Sequence, residues 1–209
     1  MRVVSEIINA VNENPAIDFN NIENVFLDRD GVLNRKPARG TYVSRVEDFA
    51  LLPGVEDAVA ALNRSGRKVI VVTNQRGIAL GLYSQDDLER IHDELRARLA
   101  KHGAHLDAIY VCPHDAGQCD CRKPLTGLFE QAFRDFPEAR PERSIIVGDS
   151  LRDIEAGKRA GMATAFVTND DGPTLEDQKA SMWAEISVTS LSELVYRGFC
   201  QAFPHDESR

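Results

Sequence analysis

The chain has 209 residues, 43% hydrophobic and 28% charged, an ordinary globular balance with room for one substantial α/β domain or two small ones. Its net charge of −8 argues against a broad nucleic-acid or anionic-membrane surface. No apolar run approaches the roughly 20 residues needed to cross a bilayer.

Apolar positions at Val3, Val4, Ile7, Ile8 and Val11 predict an amphipathic N-terminal helix, closed by Pro15, within an extension over residues 1–20. Glu6 and Asn9 interrupt it, and no small-residue cleavage site follows, so it does not have the form of a secretory signal. A cytoplasmic protein is therefore expected. Val25-Phe26-Leu27 forms a first strand that stops at Asp28-Arg29-Asp30-Gly31. The loop from Arg35 to Val43 is rich in cations: Arg35, Lys36 and Arg39. Val55 to Asn63 is predicted as a helix with Val55, Ala58, Val59 and Leu62 on one side, ended by Ser65-Gly66.

Val69 to Val72 is a β-branched run suited to a parallel strand covered on both faces, and it ends in Thr73-Asn74-Gln75. Ser84 with Asp87 predicts a helix N-terminus, and that helix runs to about Lys101. A third strand, Ala108 to Val111, ends at Cys112. A loop to Pro124 and a helix from about Thr126 to Phe133 follow. Ser144 to Val147 is a fourth strand, ending in Gly148-Asp149-Ser150, with Asp153 on the next helix. Thr164 to Val167 is a fifth. Asn169 to Gln178 is read as loop, Ile186 to Val188 as a short last strand, Leu191 to Tyr196 as a terminal helix, and 204–209 as a disordered tail. Strands alternating with helices predict one domain over residues 1–209, with a core over 22–168, built on a doubly wound parallel α/β sheet.

Ligands bind beyond the carboxyl ends of the strands in such a sheet. Asp28 and Asp30 at one such end form either a divalent-metal site, an acid/base pair, or both, because close carboxylates repel unless a cation neutralises them. Asp-x-Asp-Gly is also ordinary turn sequence. Four strands, however, end in polar groups: Asp28 and Asp30, Thr73 and Asn74, Cys112 with Lys123 beyond it, and Asp149 with Asp153. Parallel strands bring these to one edge.

In these residues the chain resembles the haloacid dehalogenase (HAD) superfamily of phosphohydrolases, whose four motifs stand at corresponding strand ends. The resemblance implies that Asp28 is a nucleophile giving an aspartyl-phosphate, and that Asp30 is first acid and then base. It implies that Asp28, the Asp30 carbonyl and Asp149 hold Mg²⁺, and that Thr73 and Lys123 stabilise phosphoryl charge. Asp153 stands either beside the metal site or as a solvated helix residue.

Cys112-Pro113-His114 and Cys119-Asp120-Cys121 offer three thiols and an imidazole suited to a closed, structural Zn²⁺ site; the alternative is three buried cysteines and a satisfied histidine. The knuckle followed by Arg122-Lys123-Pro124 resembles the zinc-containing branch of D-glycero-D-manno-heptose 1,7-bisphosphate phosphatases and histidinol-phosphate phosphatases. Gly40 to Val43 and Thr73 to Gly81 are closer to the heptose enzymes. Leu80, Ser150 and the short His114–Cys119 loop depart from their pattern, and the N-terminal helix lies outside it. The resemblance implies substrate contacts from Gly40, Tyr42, Asn74, Gln75, Arg76 and Arg122.

The cations Arg35, Lys36, Arg39, Arg76 and Arg122 favour a sugar bisphosphate over histidinol phosphate, whose amine would meet like charge. Only 42 residues separate Asp30 from Thr73, which leaves no room for a folded cap. The expectation is a monomeric phosphatase of a small phosphorylated sugar, with no nucleic-acid or membrane partner.

Overall fold

The structure is a computed structural model and describes residues 17–38, 40–168 and 174–200. The expected N-terminal helix, Arg39 and the 204–209 tail lie outside these residues. Six strands run parallel in the order β3-β2-β1-β4-β5-β6. They are β1 (Asn24–Leu27), β2 (Lys68–Asn74), β3 (Ala108–Cys112), β4 (Ser144–Gly148), β5 (Ala163–Val167) and β6 (Ile186–Val188). This is the doubly wound parallel sheet expected from the alternating pattern.

The strands are apolar on both sides because both faces are covered. Val25 and Leu27, Val69 and Val71, and Ile145 and Val147 face one layer, which contains α1 (Val55–Arg64), α2 (Gln85–Lys101) and the short α6 (Leu191–Leu194). Phe26, Ile70, Val72 and Ile146 face the other layer, with α3 (Gly127–Asp135) and α4 (Leu151–Arg159). The two-residue alternation of a strand thus divides each apolar run between two cores. Phe26 packs edge-on against Phe129 and Phe133 at centroid distances of 5.4 and 5.5 Å. That contact anchors α3, and with it the end of the loop carrying Lys123.

One assignment changes. The segment read as loop to Gln178 becomes helical at Leu175, where α5 (Leu175–Trp183) begins. Thr174 caps it: its hydroxyl accepts from the Asp177 amide at 3.2 Å, and Asp177 accepts back from the Thr174 amide at 2.8 Å. A Thr-x-x-Asp capping box was present in the sequence beneath the turn-forming residues that dominate this stretch.

The winding reverses between β1 and β4, which are neighbours in the sheet but far apart in sequence. That is where a doubly wound sheet opens its ligand crevice. Asp28 follows β1 and donates its backbone N–H to the Val147 carbonyl of β4 at 2.9 Å. Asp149 follows β4. Strand pairing therefore sets the two carboxylates at one opening before any side-chain interaction is counted.

Candidate active site

Three carboxylates, Asp28, Asp149 and Asp153, converge so that one oxygen from each lies within 4.8 Å of the others. Asp153 is buried on the first turn of α4, and its Oδ2 accepts from the Ser150 amide at 3.1 Å and the Ser150 hydroxyl at 2.6 Å. The solvated-helix reading of Asp153 is thereby excluded. Its other oxygen meets the Lys123 ammonium at 2.5 Å.

Lys123 is itself buried, with 2% of its side chain exposed, and also pairs with Asp28 at 2.9 Å and donates to the Val72 carbonyl at 2.7 Å. Burial alone would lower its pKa, but Asp153 and Asp28 overcome this and raise it, so Lys123 is a fixed cation.

Negative charge remains in excess. Burial pushes the Asp28 carboxyl up to about 7; Lys123 opposes the rise, and Asp153, Asp149 and Asp30 add to it. Burial likewise raises Asp149 to about 6 against the pull of Lys36. Asp149 Oδ2 is buried, and its one polar partner among the described residues is the Lys36 ammonium, paired with it at 2.7 Å. Oxygen ligands crowded at the cost of raised pKa values are a donor set for a hard divalent cation. Gly31 admits this arrangement. Its φ is +92°, and a Cβ there would fall 2.0 Å from Asp149 Oδ2. The residues present fit Mg²⁺.

Asp30 stands in a different environment. Arg29 is completely buried, and its Nε and Nη2 donate to Asp30 Oδ1 at 3.1 and 2.9 Å, with Nη2 also reaching Oδ2 at 2.9 Å. Asn34 Nδ2 donates to Oδ1 at 2.9 Å and Gln75 Nε2 to Oδ2 at 3.1 Å. Burial works to raise the Asp30 pKa, but the Arg29 charge and these hydrogen bonds hold it below the usual carboxylate range. The adjacent aspartates are thus electrostatically unlike, although only one residue separates them.

Further partners extend this network. Gln75 Oε1 accepts from Arg29 Nη2 at 3.3 Å and from the Tyr83 hydroxyl at 2.5 Å, and Gln75 Nε2 donates to Thr73 Oγ1 at 2.8 Å. Arg29 Nη1 lies 3.5 Å from His92 Nε2. A guanidinium only donates, so Nε2 is the unprotonated nitrogen of that ring. Burial, then the Arg29 and Arg96 charges, lower the His92 pKa to about 3. Arg29, Asn34, Tyr83 and His92 were not singled out from sequence. An arginine set between two aspartates carried a signal for the first; nothing local marked the histidine or tyrosine.

Of the expected substrate contacts, Asn74 and Gln75 have amides turned to protein partners. Asn74 clasps the backbone of Lys123, donating to its carbonyl and accepting from its amide, both at 3.1 Å. Arg76 pairs with Asp115 at 2.6 Å, and Arg122 donates to the His114 carbonyl at 3.2 Å. Gly40 adopts φ +84°, where a Cβ would meet no described residue within 4 Å, and the Tyr42 ring tilts against Tyr83 at 6.2 Å. Lys36 alone of the cationic loop meets the carboxylate cluster among the described residues.

Cys112, His114, Cys119 and Cys121 form a second cluster, with their ligand atoms within 4.8 Å of one another. The Sγ atoms of Cys112 and Cys121 lie 3.6 and 3.3 Å from that of Cys119, and His114 Nδ1 lies 3.8 and 3.4 Å from Cys112 and Cys121. A tetrahedral zinc with ordinary bond lengths has ligand–ligand edges of about 3.5–3.8 Å. Burial and the neighbouring thiols drive the Cys121 pKa well up. A cation among them would relieve that crowding. The cluster fits a four-coordinate metal with no open position.

A paired-carboxylate and lysine site at the carboxyl edge of a doubly wound parallel sheet, with no large cap among the described residues, defines a HAD-like hydrolase. Residues 120–194 match the HAD-hydrolase-like family model. D-glycero-beta-D-manno-heptose-1,7-bisphosphate 7-phosphatase of Haemophilus ducreyi is 38% identical over 82% of this chain and 95% of its own length. The corresponding alpha-heptose enzyme of Mycobacterium bovis is 43% identical over 66% of this chain and 73% of its own length. The D,D-heptose 1,7-bisphosphate phosphatase of B. bronchiseptica, solved with magnesium and phosphate, superposes with a TM-score of 0.76 at 31% identity, covering 87% of this chain and all of that one. The chain belongs to this family of heptose-bisphosphate phosphatases within the HAD-like hydrolases.

Proposed function

We propose that the protein is a Mg²⁺-dependent D-glycero-D-manno-heptose 1,7-bisphosphate 7-phosphatase working through an aspartyl-phosphate on Asp28. The observation that carries the reading is the contrast between the two aspartates. Asp28 lies beside the Lys123 ammonium and the open edge of the carboxylate cluster, whereas Asp30 is orientated by Arg29, Asn34 and Gln75.

Asp28 attacks phosphorus in line. Lys123 and the Thr73 hydroxyl, whose oxygen already accepts from Gln75, counter charge on the phosphoryl oxygens. The resting form of Asp30 is the carboxylate, ready to take a proton from water in the second step. The incoming dianionic phosphate opposes Arg29 and raises the Asp30 pKa, so Asp30 takes up a proton from solvent as substrate binds. It gives that proton to the leaving oxygen and returns to the carboxylate that the second step needs. Asp28, the Asp30 carbonyl and Asp149 would hold Mg²⁺, which neutralises the cluster and the phosphoryl oxygens. Cys112, His114, Cys119 and Cys121 would hold a structural Zn²⁺ that fixes the loop leading to Lys123.

The substrate assignment rests on the family; Lys36 beside Asp149, and Arg76 and Arg122, next in sequence to Gln75 and Lys123, supply cations that suit a second phosphate. Relatives act on either anomer, so the anomer is part of the test. The chain is read as one monomeric domain of the cytoplasm, where reduced thiols can serve as metal ligands. No helix among the described residues is long and apolar enough to cross a membrane.

Phosphate release should be measured with α- and β-heptose 1,7-bisphosphate and histidinol phosphate, with and without Mg²⁺. Preference for a heptose bisphosphate, lost in Asp28→Asn, supports the reading. Preference for histidinol phosphate replaces the substrate, and Mg²⁺-independent turnover that survives Asp28→Asn overturns the mechanism.

A further inference from the structure

The loop after β1 places Lys36 directly on Asp149, with Nζ 2.7 Å from Oδ2. That oxygen is buried, and among the described residues no donor other than the Lys36 ammonium reaches it. The two lysines of the site are not equivalent. Lys123 is enclosed, shared between Asp28 and Asp153, and tied to the Val72 carbonyl. Lys36 touches the cluster only through Asp149, and 48% of its side chain is exposed. The three carboxylates outnumber the two ammonium groups by one. A divalent cation added with both lysines in place would leave the pocket net positive, with like charges crowded on one carboxylate. Of the two, Lys36 is the one free to withdraw, since it is half-exposed on a loop whereas Lys123 is enclosed.

We propose that Lys36 is a tethered counter-ion of the metal site: it neutralises Asp149 in the Mg²⁺-free protein and is displaced when Mg²⁺ binds. This rests on the reading of Asp28 and Asp149 as Mg²⁺ ligands. Two consequences follow. Lys36 stabilises the Mg²⁺-free protein, because an uncompensated carboxylate as buried as Asp149 is costly. It also competes with Mg²⁺, so the ion binds more weakly than the carboxylates alone would allow. Once released, the ammonium lies at the opening through which an anionic substrate enters, which couples ion binding to presentation of a cation.

The test is isothermal titration of Mg²⁺ into the zinc-loaded protein without substrate, comparing wild type, Lys36→Met and Arg35→Met. Arg35 is an exposed cation on the same loop, and Arg35→Met corrects for the general loss of one positive charge. The expected result is that Lys36→Met tightens the Mg²⁺ Kd about fivefold, the scale of a partly exposed ion pair, while Arg35→Met changes it less than about twofold. The Mg²⁺-free melting temperature should fall in Lys36→Met, and the rise on adding Mg²⁺ should exceed that of wild type. An Lys36→Met Kd equal to that of Arg35→Met, or weaker than wild type, overturns the counter-ion role alone. Failure of wild type to bind Mg²⁺ overturns the metal-site reading and this inference with it.

Discussion

Arg29 is the residue whose removal most directly tests how the two aspartates are made unlike. It is fully buried, and its carboxylate partner is Asp30, held through Nε and Nη2. Arg29→Met keeps much of the volume and deletes the charge. Removing one partner of a buried pair typically costs about 3–5 kcal/mol, because the other charge is left uncompensated. Asp30 retains the amides of Asn34 and Gln75, and 22% of its side chain is exposed, so Arg29→Met should fall near the lower end, about 3 kcal/mol. Asp30→Asn leaves a guanidinium with no exposure, and should cost about 4–5 kcal/mol. The double variant has no charge left to strand. Its cost should therefore fall short of the summed single costs by about 2–3 kcal/mol. Urea denaturation of the four proteins at neutral pH in Mg²⁺-free, zinc-replete buffer measures this cycle. Additivity within about 0.5 kcal/mol would refute the argument that the pair acts as a unit.

Two further outcomes follow from the same network and from the knuckle. The imidazole of His92 has a pKa of about 3 in the folded protein and about 6.5 when unfolded, so falling pH protonates the unfolded chain first and stability is lost below about 6.5. Between pH 7 and pH 5 wild type should lose about 2 kcal/mol more than His92→Gln in parallel urea titrations, and superimposable pH profiles would contradict a buried neutral histidine. Cys119→Ser should lower zinc content and phosphatase activity together by loosening the segment that ends at Lys123. Metal analysis alongside phosphate release checks this, and a zinc-free variant with full activity would show that the knuckle does not position the lysine.

Much of the site was legible because each motif stands at a predictable strand end. Val25 to Leu27 and Val69 to Val72 declare buried parallel strands, and the polar residues after them are assigned to one edge by topology alone. The convergence of Cys112, His114, Cys119 and Cys121 was legible for a related reason: these four candidate ligands are close in sequence, so residue type and spacing carry most of the constraint. The helix starting at Leu175 was missed where an Asn-, Asp-, Gly- and Pro-rich stretch obscured a capping box.

Asn74 and Gln75 show the limit of motif reading. Their positions follow from β2, but what their amides bond is decided by segments many residues away: the Lys123 backbone for one, and Asp30, Arg29 and Tyr83 for the other. His92 belongs to an amphipathic helix pattern and acquires its role only because α2 packs beside the loop that buries Arg29.

By itself the sequence determined the alternation of strands and helices, the edge at which the acids gather, and the chemistry those residue types can perform. Periodicity and residue type are local properties, and these conclusions need nothing more. Only the tertiary structure decided that Asp28 is raised while Asp30 is lowered, that Asp153 is buried on Lys123, and that Lys36 reaches Asp149. A carboxylate's charge state depends on burial and on charges within a few ångströms. Those neighbours come from strands and loops that meet only when the sheet has formed.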